Sequence, residues 1–171
     1  LLNDNGRYTI DYEALEKACS NPKNKALLFS SPHNPTGRVW TQEELKKVGD
    51  ICVEYDVKII SDEIWNDLIL PGYEHTVLSN VSKEIEDITI TCTAASKTFN
   101  IAGMATSNIF ISNKELREKF IKELELMRSA SVNVLGFKAT ELAYTKCERW
   151  LEQLIELLED NRKICTKFFE D

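Results

Sequence analysis

Two short apolar runs with one helical pattern between them limit this chain more than any other feature. Ala26–Ser30 (ALLFS) and Val57–Ser61 (VKIIS) both read as buried strands. Between them Thr41, with Glu44 three residues on, forms a capping box, and Leu45, Val48, Cys52 and Tyr55 follow as one apolar stripe. Strand, helix, strand in this order predicts an α/β fold with a mostly parallel, helix-covered sheet.

The rest of the chain extends that alternation. Asp11 caps a short helix through Cys19, which Asn21-Pro22 stops. A longer irregular stretch with a turn at Pro71-Gly72 precedes Asp87–Ala94 (DITITCTA), where Ile and Cys alternate against Thr as in a strand. Ala105–Ser112 reads as a further strand, joined to it by a hairpin-like connection and so possible as an antiparallel member. Ser112 with Glu115 forms a second capping box, and Leu116, Phe120, Leu124 and Met127 line one helix face. From about Val134 onward the pattern is helical, with a break near Lys146–Arg149. Its last helix is expected to bury Leu151, Leu154, Leu158, Cys165 and Phe168.

Composition narrows the function. With 171 residues, 43% apolar and 29% charged, the chain suits one globular domain or part of a larger one. Its 21 Lys and Arg against 28 Asp and Glu leave a net charge of −7, which disfavours nucleic-acid and anionic-membrane surfaces. No apolar run approaches the ~18 residues of a membrane span, and no basic-then-apolar leader precedes the first segment. Five dispersed cysteines (Cys19, Cys52, Cys92, Cys147, Cys165) read as reduced thiols in a cytoplasmic protein. Two histidines, His33 and His75, are too few and too scattered for a Cys/His metal site, and they read as loop or interface residues. Neither GxGxxG nor GxxxxGK[ST] occurs. The charge-rich stretches Lys114–Lys122 and Glu148–Lys167 read as solvated helix faces, and nothing local requires an anion at Arg38 or Arg128. The chain begins at Leu1 without Met and ends in a charged helical pattern over Lys167–Asp171, so both ends look cut from something longer.

Ligands of open α/β sheets bind beyond the carboxyl ends of the strands. The first strand here runs into Ser31-Pro32-His33-Asn34-Pro35-Thr36-Gly37, the second into Asp62-Glu63 and the third into Ser96-Lys97. Singly these are a turn, a helix cap and a surface lysine. Together an amide, a carboxylate and an amine at successive strand ends make one pocket plausible.

At these residues the chain resembles the fold-type I pyridoxal 5'-phosphate (PLP) enzymes of the class I/II aminotransferase superfamily. It is most similar to their C–S lyase branch, the MalY/PatB-type cystathionine β-lyases. SPHNPTGRVW at 31–40, SDEIWNDL at 61–68 and TAASKTFNIAG at 93–103 carry the resemblance, with 28 residues from Asn34 to Asp62 and 35 from Asp62 to Lys97. It implies a three-layer fold, a mostly parallel sheet with helices on both faces. Residues 1–171 would be the central part of the PLP-binding large domain, without its N-terminal segment and the C-terminal small domain.

The resemblance also implies roles. Lys97 would form the internal aldimine and shuttle the Cα proton, since only a primary amine makes a Schiff base. Asp62 would pair with the pyridine nitrogen and keep it protonated, and Asn34 would donate to the ring oxygen beside the aldimine. Ser96 and Thr93 would be candidates for the cofactor phosphate. Trp65 stands where many aminotransferases of the superfamily carry Tyr or His, and could donate its indole N–H or simply pack. Ala105 replaces an Arg that grips the phosphate in many relatives. A cis Asn34-Pro35 bond is expected, and the 171 residues alone are expected not to retain the cofactor.

Three functions follow. The first is an α,β-elimination of L-cystathionine or L-cysteine-type substrates to thiol, pyruvate and ammonia, in a cytoplasmic homodimer. The second, a class I/II aminotransferase, would use the same three residues. The third, of another class, is a PLP-fold binding module contacting a regulator; Lys97 argues against it, because binding alone does not require that amine.

Overall fold

Parallel pairing of the two apolar runs is the centre of the molecule in the computed structural model, which describes residues 1–128 and 131–170. A small hairpin, β1 (Leu2–Asp4) and β2 (Arg7–Thr9), precedes them and turns at Asn5-Gly6, both at positive φ (49° and 87°) as a two-residue hairpin turn demands. Helix α1 (Tyr12–Cys19) starts as expected at Asp11, whose carboxylate accepts from Ala14 N at 2.9 Å. Strand β3 (Ala26–Ser30), helix α2 (Gln42–Glu54) and strand β4 (Lys58–Asp62) form the expected crossover. The capping box at Thr41 and Glu44 is closed in both directions.

Helix α3 (Lys83–Ile88) leads directly into strand β5 (Thr89–Thr93). The strand pattern read from Asp87 therefore begins two residues later, because Ser82 caps a helix that runs through Ile88. Helix α4 (Ala95–Thr98) and a 3-10 turn (Ala102–Met104) fill the connection to β6 (Asn108–Phe110), which is shorter than the strand read over Ala105–Ser112. The sheet order is β3-β4-β5-β6, with β6 antiparallel and the other pairs parallel. Phe29 lies opposite Ser61, and Ser61 opposite Thr91.

Alternation along the strands divides the two faces. Leu27, Phe29 and Ile59 join Leu45, Val48 and Cys52 of α2, Cys19 of α1 and Ile85 of α3 in one core. Burying side chains of this size contributes about 1.5–3 kcal/mol each for the Leu, Val and Ile members. On the opposite face Leu28 is 79% exposed.

Three helices complete the chain: α5 (Lys114–Leu126), α6 (Val134–Lys146) and α7 (Glu148–Glu170). The cap of α5 is Asn113, not Ser112; its amide oxygen accepts from Leu116 N at 3.0 Å while its Nδ2 donates to Asp87 O at 3.1 Å. Glu115 then falls one residue short of the capping-box position, so no box forms. In α7, Leu151, Leu154 and Leu158 are half-buried, but Cys165 is exposed and Phe168 is 75% exposed. The half-buried positions of α7 lie within residues 151–159, and residues 161–170 are all exposed. The terminal charged pattern is helical through Glu170, and Asp171 lies outside the described residues.

Candidate active site

Each of the three parallel strands delivers one predicted polar residue at its carboxyl end. Beyond β3 the chain doubles back, with His33 N donating to Arg38 O at 2.8 Å and Gly37 N to His33 O at 2.8 Å. Gly37 takes a positive φ of 69° there, which favours glycine. Buried Trp40 ties the loop down by donating from Nε1 to Ser30 O at 2.9 Å. The Asn34–Pro35 bond is cis, as expected, and so is Ser31–Pro32. Asn34 N donates to Ser30 Oγ at 3.3 Å, leaving its side chain exposed to the cavity. His33 is a loop residue bonded through Nδ1 to Thr36 Oγ1 at 2.8 Å. Burial lowers its pKa below the usual histidine value.

Asp62 closes β4. Its carbonyl accepts from Ser31 N at 2.9 Å and its Oδ1 from Ile64 N at 3.2 Å, while the rest of the carboxylate faces outward. Alternation then turns Glu63 inward, where it is completely buried. Its oxygens accept from Ser61 Oγ (2.8 Å) and Leu78 N (3.1 Å) and meet His75 Nε2 at 2.8 Å. Glu63 and His75 are therefore the internal buttress of the strand end, a pairing that no local sequence signal announces.

Lys97 sits on α4, exposed, with Nζ 5.8 Å from the centroid of the Trp65 ring. Trp65 lines a cavity of about 580 Å³ together with Asn34, Pro35, Val39, Leu68 and Tyr73. Asp62 and Lys97 are not part of that lining, and Trp65 is the residue that touches both the cavity and the lysine. Ser96 is half-buried, and its carbonyl accepts from Ile101 N at 3.0 Å. Thr93 Oγ1 already accepts from Asn108 Nδ2 at 3.4 Å. Ala105 ends the 3-10 turn in a left-handed conformation (φ 47°, ψ 47°) and offers no side-chain donor.

Asp67, which sequence reasoning passed over, joins this region to α4 and α6. Its Oδ2 accepts from Thr98 Oγ1 at 2.9 Å and from Tyr144 OH at 3.3 Å. Burial of the hydroxyl, followed by the Asp67 charge and its hydrogen bond, pushes the Tyr144 pKa up to about 12.

The donor set fits PLP chemically. An amine beside an aromatic face suits an aldehyde, an outward carboxylate suits a ring nitrogen, and an exposed amide suits a ring oxygen.

Comparison with known proteins identifies the family. Residues 2–170 match the family model "Aminotransferase class I and II". The chain is 42% identical over 161 residues to cystathionine beta-lyase PatB of Bacillus subtilis, which spans 94% of this chain and 42% of the relative. It is 35% identical to Protein MalY of Escherichia coli over 88% of this chain and 38% of the relative. Among solved structures, cystalysin from Treponema denticola, which contains a pyridoxal 5'-phosphate cofactor, superposes with a TM-score of 0.96 at 49% identity, over 99% of this chain and 43% of its own. The PLP-bound C-S lyase from Staphylococcus hominis gives 0.92 at 38% identity, over 100% and 42%. The chain therefore spans about two fifths of the length of such relatives. With residues 2–170 matched by that family model, this chain belongs to the aminotransferase class I and II family.

Proposed function

We propose that residues 1–171 are the central part of the cofactor-binding large domain of a PLP-dependent C–S lyase acting on L-cystathionine or L-cysteine-type substrates. The observation that carries the reading is the amine, carboxylate and amide at three consecutive strand ends, in a chain 49% identical to cystalysin. When bound, PLP supplies an electron sink for negative charge developing at the substrate Cα.

The chain's own residues do the rest. Lys97 Nζ would hold the cofactor aldehyde and, once released by substrate, move the Cα proton. Loss of a thiol from Cβ would leave an enamine, which water hydrolyses to pyruvate and ammonia. Asp62 would keep a proton on the ring nitrogen, and Asn34 would donate to the ring oxygen. Ser96 and Thr93 are both candidates for the phosphate, since the bond that Thr93 Oγ1 accepts from Asn108 leaves its own proton free to donate.

The five free cysteines support a cytoplasmic setting, and no helix among the described residues is long and apolar enough to cross a membrane. We assign the full-length protein a homodimeric state by family. The test is pyruvate release from L-cystathionine by the full-length protein without any 2-oxoacid, abolished by Lys97→Ala. Turnover that requires a 2-oxoacid acceptor would favour the aminotransferase reading, which the relationship to the aspartate aminotransferase of Bacillus subtilis (34% identical over 100 residues) keeps in view.

A further inference from the structure

The segment leaving β4 grips α4 from two sides. Trp65 lies against Lys97 Nζ, and two residues later Asp67 accepts from Thr98, the residue that follows Lys97. Thr98 is completely buried, and its hydroxyl donates to Asp67 Oδ2 at 2.9 Å. Asp67 is itself held at both oxygens, by Asn66 Nδ2 at 3.2 Å on Oδ1 and by Tyr144 OH at 3.3 Å on Oδ2. Helix α4 has only four residues, and no side chain caps its N-terminus. A single turn of helix cannot set the direction of a long lysine by itself.

We propose that Asp67 is a positioning residue: through Thr98 it fixes the turn that carries Lys97 and so sets where Nζ lies against Trp65. This rests on Lys97 being the cofactor lysine. A group misplaced by about 1 Å in such a site loses on the order of a hundredfold in rate, whereas uniform binding is unaffected.

The experiment uses the full-length, cofactor-loaded enzyme with Asp67→Ala, Thr98→Val, Thr98→Ser and the Asp67→Ala/Thr98→Val double variant. Thr98→Val keeps the shape of the side chain, and the thermal midpoint of each variant reports its folding. The expected result is a kcat about tenfold or more lower in Asp67→Ala and Thr98→Val, with KM within about twofold. The double variant should fall no further than the worse single one, and Thr98→Ser should retain the wild-type kcat. In apo-protein, an amine-acylating reagent should label Lys97 several-fold faster in Asp67→Ala and Thr98→Val than in wild type. A folded Thr98→Val enzyme with wild-type kcat and wild-type labelling overturns the inference, as does a double variant whose loss is the product of the single losses. If wild-type Lys97 fails to capture PLP at all, the functional reading itself fails, a result distinct from either of these.

Discussion

Glu63 Oε2 and His75 Nε2 lie 2.8 Å apart at a carboxylate with no solvent exposure, one residue beyond the outward-facing Asp62. The same carboxylate takes Ser61 Oγ and Leu78 N, so one side chain joins the end of β4 to two later segments. Removing it leaves three buried partners without an acceptor. Glu63→Ala should therefore destabilise the protein by about 3–5 kcal/mol, measured by urea unfolding. Glu63→Gln keeps an acceptor for Ser61 and Leu78 and should cost about 1–2 kcal/mol. Equal losses in the two variants would show that the hydrogen bonds are not what the site supplies.

Gly136 sits where α6 crosses the loop after α4. A Cβ at this position would lie 2.6 Å from the carbonyl oxygen of Met104 and closer still to Thr106 Oγ1. One contact is backbone, so the helix has to move. Gly136→Ala should lower stability by about 1–3 kcal/mol despite the better helix propensity of alanine. Unchanged or raised thermal stability would contradict this packing.

The raised Tyr144 pKa has a direction that can be checked. Its folded value of about 12 exceeds the ordinary 10.0, so the folded state holds a proton that the unfolded chain releases first. The contribution to stability is present below pH 10.0 and is lost as pH rises through about 12. Asp67→Asn removes the negative charge beside the hydroxyl. Tyrosinate absorbance, taken as the difference from a Tyr144→Phe control, should then show Tyr144 titrating at lower pH than in wild type. An unshifted titration would mean that burial alone holds the value up.

Cys19 and Cys52 face each other across the α1–α2 contact, both buried. Burial, followed by the neighbouring Cys19, pushes the Cys52 thiol up to about 12. Near pH 8 this leaves on the order of a thousandfold less thiolate than in an ordinary cysteine. Alkylation of the native protein, mapped by mass spectrometry, should spare Cys19 and Cys52 until denaturant is added. Rapid labelling of Cys52 under native conditions would contradict its burial.

What could be read along the chain was what depends on near neighbours. The run ALLFS, the Thr41–Glu44 box and the Asp11 cap use contacts within four residues and formed where local chemistry placed them, and the VKIIS strand formed one residue later, over Lys58–Asp62. The placement of Asn34, Asp62 and Lys97 beyond successive strands was legible because strand ends of a parallel sheet lie side by side. Choices between equals were not legible: Ser112 and Asn113 are both good caps, and Asn113 won through a bond to Asp87 O, 26 residues away. The stripe on α7 announced an apolar face but not what it would meet, and Phe168 ends up 75% exposed. Asp67 with Thr98, 31 residues apart, and Glu63 with His75, 12 apart, exist only once the sheet has brought separate segments together. Periodicity records which face of an element is apolar; which distant donor meets a given carboxylate is set by the packing of the whole chain.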